Sequence, residues 1–142
     1  MTTTAVEERR VDFSKYAQFV NEVTSFPSQR NDEFIRRIND LEDQGVPISR
    51  LLTAAIGISA EGGEFTEIIK KIAFQGKELT ADAKLHMIKE LGDVMWYVAQ
   101  ACIALDVSLD HVLTQNMVKL LSRYPEGTFD VYYSENRQEG DI

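Results

Sequence analysis

The chain has 142 residues, 44% of them hydrophobic and 27% charged, with a formal net charge of −8. That suits one soluble domain with a core and disfavours a nucleic-acid polymer or an anionic membrane as main partner, because both need a basic face. A single cysteine, Cys102, excludes an internal disulfide and reads as a small core residue. No apolar stretch approaches about 18 residues, so no membrane span is expected, and the opening MTTTAVEERR lacks the apolar segment of a secretory signal. A cytoplasmic location is the expectation.

Glycine and proline are sparse, 8 and 3, and apolar residues recur at helical spacing. An all-α fold follows, a helical bundle of four to five helices. Residues 1–10 read as a flexible start, 11–130 as one domain and 131–142 as a tail. Asp12 or Ser14 caps a first helix whose inner side carries Phe13, Tyr16, Phe19, Val20 and Val23. It ends before Phe26-Pro27. A second helix, opened from Ser28, runs to about Asp43 with Phe34, Ile35, Ile38 and Leu41 as its stripe, and Gly45-Val46-Pro47 breaks it. Ser49 caps a third helix from Leu51 to about Phe74. Its first half, LLTAAIGISA, is small and apolar. Gly62 and Gly63 then each cost up to ~1 kcal/mol against alanine, which close approach of another backbone or of a ligand would explain. Gly76 reads as its stop. Thr80 caps a fourth helix to about Leu105, with Leu85, Ile88, Leu91, Val94, Met95, Val98 and Ala101 as its stripe and Trp96 in the core. Ser108 caps a fifth, closed by Tyr124-Pro125-Glu126-Gly127. Beyond it, Phe129, Val131, Tyr132 and Tyr133 suggest a short docking arm, and ENRQEGDI reads as disordered.

Two acidic pairs interrupt the apolar runs of the third and fourth helices: Glu61/Glu64 in AEGGEF and Glu90/Asp93 in KELGDV. Residues three apart share a helix face, about 5–6 Å apart at Cβ. An acidic pair alone is usually a solvated face. Here Ala60, Phe65, Ile68, Leu91, Val94 and Met95 surround the pairs, and two such helices packed antiparallel bring four carboxylates together. An unpaired buried ion costs several kcal/mol, so the group calls for cations. Oxygen-only ligands suit hard ones, Mg²⁺ with Mn²⁺ as a substitute. A di-iron bundle would place a histidine three after a ligating glutamate, and none follows Glu61 or Glu90 at that spacing. Glu67 lies around the helix from Glu61, placed to pair with Lys70 or Lys71.

Other candidates divide between a dull and a functional role. Asn116, Lys119 and Arg123 share one helix face, either a solvent face or a phosphate clamp in which lysine is a point charge and arginine a fork. Tyr97, four after Asp93, is a core tyrosine or a donor to a ligand's sugar. Lys70, Lys71 and Lys77 surround the turn after the third helix, as surface lysines or facing phosphates. His86 and His111 have no nucleophilic arrangement around them.

The motifs together resemble the MazG-type all-α nucleoside triphosphate pyrophosphohydrolases, in particular their small single-domain phage and bacterial members. LLTAAIGISAEGGEFTEIIKK, FQGK, KELGDVMWYVA and NMVKLLSRYPEG carry the resemblance, over about Leu51 to Phe129. Residues 28–48 form a longer segment than the smallest members carry. The resemblance implies hydrolysis of a (deoxy)nucleoside triphosphate between its α and β phosphates, by in-line attack of water on the α-phosphorus. By position it implies Glu61, Glu64, Glu90 and Asp93 as Mg²⁺ ligands, with Glu61 or Glu64 doubling as general base. It implies Lys119 and Arg123 on phosphate, Asn116 and Lys71 beside them, and Tyr97 on the nucleotide. It also implies a homodimer or a homotetramer built as a dimer of dimers. Two alternatives stay open: a dUTPase-like or other nucleotide-diphosphate hydrolase on the same scaffold, and a non-catalytic helical interaction module whose carboxylates pair with Lys70, Lys71 and Lys119.

Overall fold

The computed structural model describes residues 12–136. The expectations for residues 1–10 and for the last six residues of the tail lie outside that range. The described residues form helices and no strand: α1 Phe13–Val23, α2 Phe26–Gln29, α3 Asn31–Asp43, α4 Ile48–Gln75, α5 Ala81–Ala104, α6 Leu109–Arg123 and α7 Val131–Glu135. Five are long and two are single turns, so the all-α expectation holds. None is long and apolar enough to cross a membrane. The chain divides into two compact units, with the boundary in sequence between Val46 and Pro47.

The first unit holds α1 to α3. Asp12, not Ser14, is the cap of α1; its carboxylate accepts from the Ser14 and Lys15 amides at 3.0 and 3.4 Å. The segment after it is not one helix from Ser28. Pro27 sits in the first turn of α2, where its missing N–H is no loss. The Gln29 side chain donates back to the Thr24 carbonyl at 2.7 Å, and Arg30 is extended at φ −132° and ψ 123°. The chain therefore restarts as α3. That helix ends where expected, with Gly45 left-handed at φ 77°. Val46 N–H reaches the Leu41 carbonyl at 2.9 Å and Gly45 N–H the Glu42 carbonyl at 2.8 Å, the paired bonds of a Schellman ending. The inner face assigned to α1 is not covered: Phe13 is 76% exposed, and Tyr16, Phe19 and Val23 are exposed as well.

The second unit is built on the hairpin of α4 and α5. Pro47, not Ser49, stands at the start of α4 and makes no side-chain cap; Ser49 is already inside the first turn, its carbonyl taking the Thr53 hydroxyl at 2.9 Å. Proline's φ is preset for entry into a helix. The α4 helix stops at Gly76, left-handed at φ 66°. Thr80 caps α5, accepting from the Ala83 amide at 3.1 Å. The α5 helix ends in a second Schellman pattern, Val107 N–H to the Cys102 carbonyl at 3.0 Å and Asp106 N–H to that of Ile103 at 3.3 Å, with Asp106 left-handed at φ 52°. Ser108 caps α6 through the His111 amide at 3.0 Å. The α6 helix packs only sparsely on the other helices, while α4 and α5 pack closely. Phe129 folds back toward Tyr124, ring centroids 5.8 Å apart. The expected arm becomes α7, capped by Asp130 through the Tyr132 amide at 2.7 Å.

The tight point of the hairpin is Gly57. A Cβ there would overlap the Tyr97 ring, so the aromatic lies directly on the α4 backbone. Ala54, Ile68 and Cys102 are buried around this seam. Gly62 and Gly63 were the expected close-approach positions, and the structure corrects this: a Cβ on either meets nothing within 4 Å. The stripe of α5 is also less buried than its periodicity implies. Leu85, Ile88, Leu91 and Met95 stay exposed, and Trp96, expected in the core, is 55% exposed. Two helices cover only one seam of each other, so apolar residues off that seam stay uncovered.

A methyl group at position 57 must displace Tyr97, whereas one at position 63 enters open space. Gly57→Ala is expected to destabilise the fold by about 1–3 kcal/mol through overpacking. Gly63→Ala is expected to stabilise it by up to ~1 kcal/mol through helix propensity. Urea unfolding monitored by circular dichroism checks both; equal responses would contradict the packing described.

Candidate metal centre

Next to the Gly57–Tyr97 contact, α4 presents Glu61 and α5 presents Glu90 and Asp93. One carboxylate oxygen from each lies within 4.8 Å of the others. Tyr97 stands four residues after Asp93, and Gly57 four before Glu61. The close packing of glycine against aromatic ring thus brings the two helices near enough, one turn on, for their acidic faces to meet. Glu90 is 8% exposed despite its charge. Glu61 is half-buried and Asp93 exposed. Glu64 is exposed and stands outside the group of three. Three of the four expected ligands are therefore together and the fourth is one turn away.

The electrostatics of the group are those of crowded anions. The Glu61 carboxyl is held above its ordinary range, first by loss of water, then by the negative charges of Asp93, Glu90 and Glu64, with a hydrogen bond to Glu90 adding to it. Lys70 and Lys71, the lysines that follow on α4, both pair with Glu67, as its position around α4 implied. The Lys70 hydrogen bond chiefly pulls the Glu67 carboxyl below its ordinary range. The ion pairs of Lys70 and Lys71 are thus made away from the clustered carboxylates. Around an octahedral Mg²⁺ with bonds of about 2.1 Å, adjacent oxygens are about 3.0 Å and opposite ones about 4.2 Å apart, so three oxygens within 4.8 Å of one another would draw inward to share one ion. The donor set is all oxygen, which suits a hard cation.

The sequence reading passed over one neighbour. His86 Nε2 lies 2.8 Å from Glu90 Oε1. The signal was present, since His86 precedes Glu90 by four residues and so shares its face. The bond orients Glu90 from outside the carboxylate group, as partners of ligating carboxylates do.

The remaining candidates are arranged less tightly. Tyr97 is half-buried, wedged on Gly57 and edge-on to Trp96, with ring centroids 4.7 Å apart. Lys119 and Arg123 are half-buried on α6 and Asn116 is exposed. Asn116 and Lys119 make no hydrogen bond or ion pair with the three carboxylates. Lys71 lines a cavity at the closed end of the hairpin rather than the carboxylate group itself.

Comparison with known proteins gives the chain's family. The family model of the MazG nucleotide pyrophosphohydrolase domain matches residues 51–128, a span that holds all three clustered carboxylates and Glu64. A protein of Mycobacterium phage L5, its Gene 37 protein, is 40% identical over 82 residues, covering 56% of this chain and 71% of the relative. No solved structure matches the chain.

A group whose carboxyl is raised in the folded state favours folding when protonated and opposes it when charged. In EDTA at pH 7, Glu61→Gln is therefore expected to raise the unfolding midpoint. The gain should shrink as pH falls through the raised value and vanish below the ordinary carboxyl range. With millimolar Mn²⁺ the order should invert, because a cation that binds only the folded chain raises the wild-type midpoint. Differential scanning fluorimetry across pH, with and without Mn²⁺, reads both; a variant indistinguishable from wild type in every condition would contradict the crowding described.

Proposed function

The chain belongs to the MazG nucleotide pyrophosphohydrolase family, and from that premise we propose that it hydrolyses (deoxy)nucleoside triphosphates between the α and β phosphates, with Mg²⁺ as cofactor and Mn²⁺ able to replace it. The supporting observation is the meeting of Glu61, Glu90 and Asp93 from two helices, while Lys70 and Lys71 of the same hairpin pair with Glu67 instead. In this reading those three hold the ion, and His86 fixes the orientation of Glu90. When bound, the cation supplies Lewis acidity toward the phosphoryl oxygens and toward water. Glu64, exposed and outside the group, is the carboxylate left free to accept the proton of the attacking water. Water attacks the α-phosphorus, the bond to the α–β bridging oxygen breaks, and pyrophosphate leaves with the electron pair. Lys119 and Arg123 neutralise phosphoryl oxygens from α6, with Asn116 on the same face, and Tyr97 meets the sugar.

We further propose that the working unit is a homodimer or a dimer of dimers. Ile88, Leu91 and Met95 repeat at helical spacing along α5 and are all exposed in the single chain, Ile88 at 63%; Ile56 on α4 and Ile103 on α5 are exposed as well. Monomers rarely leave so much contiguous apolar surface to water, and a second copy of the same helices is the surface that matches it. The site's sparse grip on α6 is consistent with a partner holding that helix in place.

Pyrophosphate release measured across the eight common (d)NTPs with Mg²⁺ is the direct test. At least one is expected to be turned over, and Asp93→Asn is expected to lower turnover by about a hundredfold or more, because cation-based stabilisation is worth several kcal/mol, while its circular dichroism spectrum stays that of wild type. Release of inorganic phosphate instead of pyrophosphate, or full activity in Asp93→Asn, would refute the reading. Light scattering after gel filtration tests the assembly: a species at twice or four times 16.1 kDa is expected, and a monomer at micromolar concentration would contradict it.

A further inference from the structure

A cavity of about 310 Å³ closes the α4–α5 hairpin beyond the carboxylate group, and its walls include Lys71, Lys77, His86 and Glu78 over a floor of Ile68 and Ile72. In a chain of net charge −8, a pocket with two lysines and a single carboxylate is an exception that invites an anion. Lys71 is only loosely engaged, its ammonium 3.4 Å from Glu67, and Lys77 forms no ion pair among the described residues. His86 joins the two places: it lines the cavity and lies 2.8 Å from Glu90 Oε1. Ile68 follows Glu61 by seven residues, about 10 Å along α4, and His86 precedes Glu90 by four on α5, so the cavity begins one to two turns from the carboxylates. Along the hairpin the order is Tyr97, then the three carboxylates, then the lysine-lined cavity.

We infer that this cavity is the seat of the substrate's terminal phosphates, and of pyrophosphate after cleavage, with Lys77 and Lys71 as its charge-bearing residues. The inference rests on the proposed reaction and adds a direction to it: nucleoside toward Tyr97, β and γ phosphates toward the closed end. Lys77 becomes a binding residue that discriminates triphosphates from shorter nucleotides.

The test uses the full chain and two readouts. Calorimetric titration with sodium pyrophosphate in EDTA removes any contribution from divalent cations. Wild type is expected to bind saturably and Lys77→Ala about tenfold more weakly, the scale of one charge-assisted contact. Lys77→Arg should recover most of the loss. With Mg²⁺ and the preferred triphosphate, Lys77→Ala should raise KM about tenfold with kcat changed less than threefold. Absence of pyrophosphate binding by wild type, wild-type affinity in both Lys77→Ala and Lys71→Ala, or displacement of pyrophosphate by a nucleoside without phosphates would each overturn the assignment. Unchanged KM in an active enzyme would remove this seat and leave the reaction standing. Pyrophosphate binding that depends on Lys77, in a chain that hydrolyses no nucleotide, would remove the reaction and leave the anion site.

Discussion

The repulsion among Glu61, Glu90 and Asp93 is the constraint on which the second unit is organised. Charges of one sign with oxygens within 4.8 Å do not gather by their own electrostatics; packing elsewhere must force them together. The forcing contact is next door, where Tyr97 lies on the bare backbone of Gly57. The fold pairs Lys70 and Lys71 with Glu67 rather than with the clustered carboxylates. An arrangement that opposes folding unless a counter-ion arrives is what a binding centre requires, because the free energy released on binding includes relief of that opposition.

The hairpin also acts as a ruler. Aromatic wall, carboxylate group and lysine-lined cavity succeed one another along one seam, one to two helical turns apart. Three chemically different surfaces on one rigid pair of helices hold their spacing better than surfaces borne on separate loops. The elements outside the seam are held less firmly. The α6 helix, which carries Asn116, Lys119 and Arg123, packs sparsely, and the apolar residues of α5 that face away from α4 remain open to water.

Much of this was legible before any coordinates. Helix periodicity and the stop signals at Gly45 and Gly76 gave the main elements, because those signals are local. The i, i+3 spacing of Glu61/Glu64 and Glu90/Asp93 gave the acidic faces. What failed to read out was non-local. Gly57 sits unremarked in a small, apolar run, and only the partner helix reveals that Tyr97 needs it bare. Gly62 and Gly63 drew attention because two adjacent glycines are costly, yet the helix passes them with open space on their Cβ side. Spacing equally could not separate Glu64 from the other three, since Glu61 and Glu64 share a face and only the helix crossing decides which one meets α5. Periodicity also overstated burial along α5, because a stripe records an apolar face without recording whether the same chain supplies its cover.

The wedge at Tyr97 bears on how anything could be recognised beside Asp93. A ring pressed against backbone has surrendered its rotamers by the time the hairpin is formed, so an arriving molecule has little side-chain motion left to freeze there. Such a wall selects by shape: it yields little to an oversized group and gains nothing by adjusting to an undersized one. In the proposed function, discrimination at that end of the seam would therefore be rigid, and adaptability would belong to the flexible lysines at the other end.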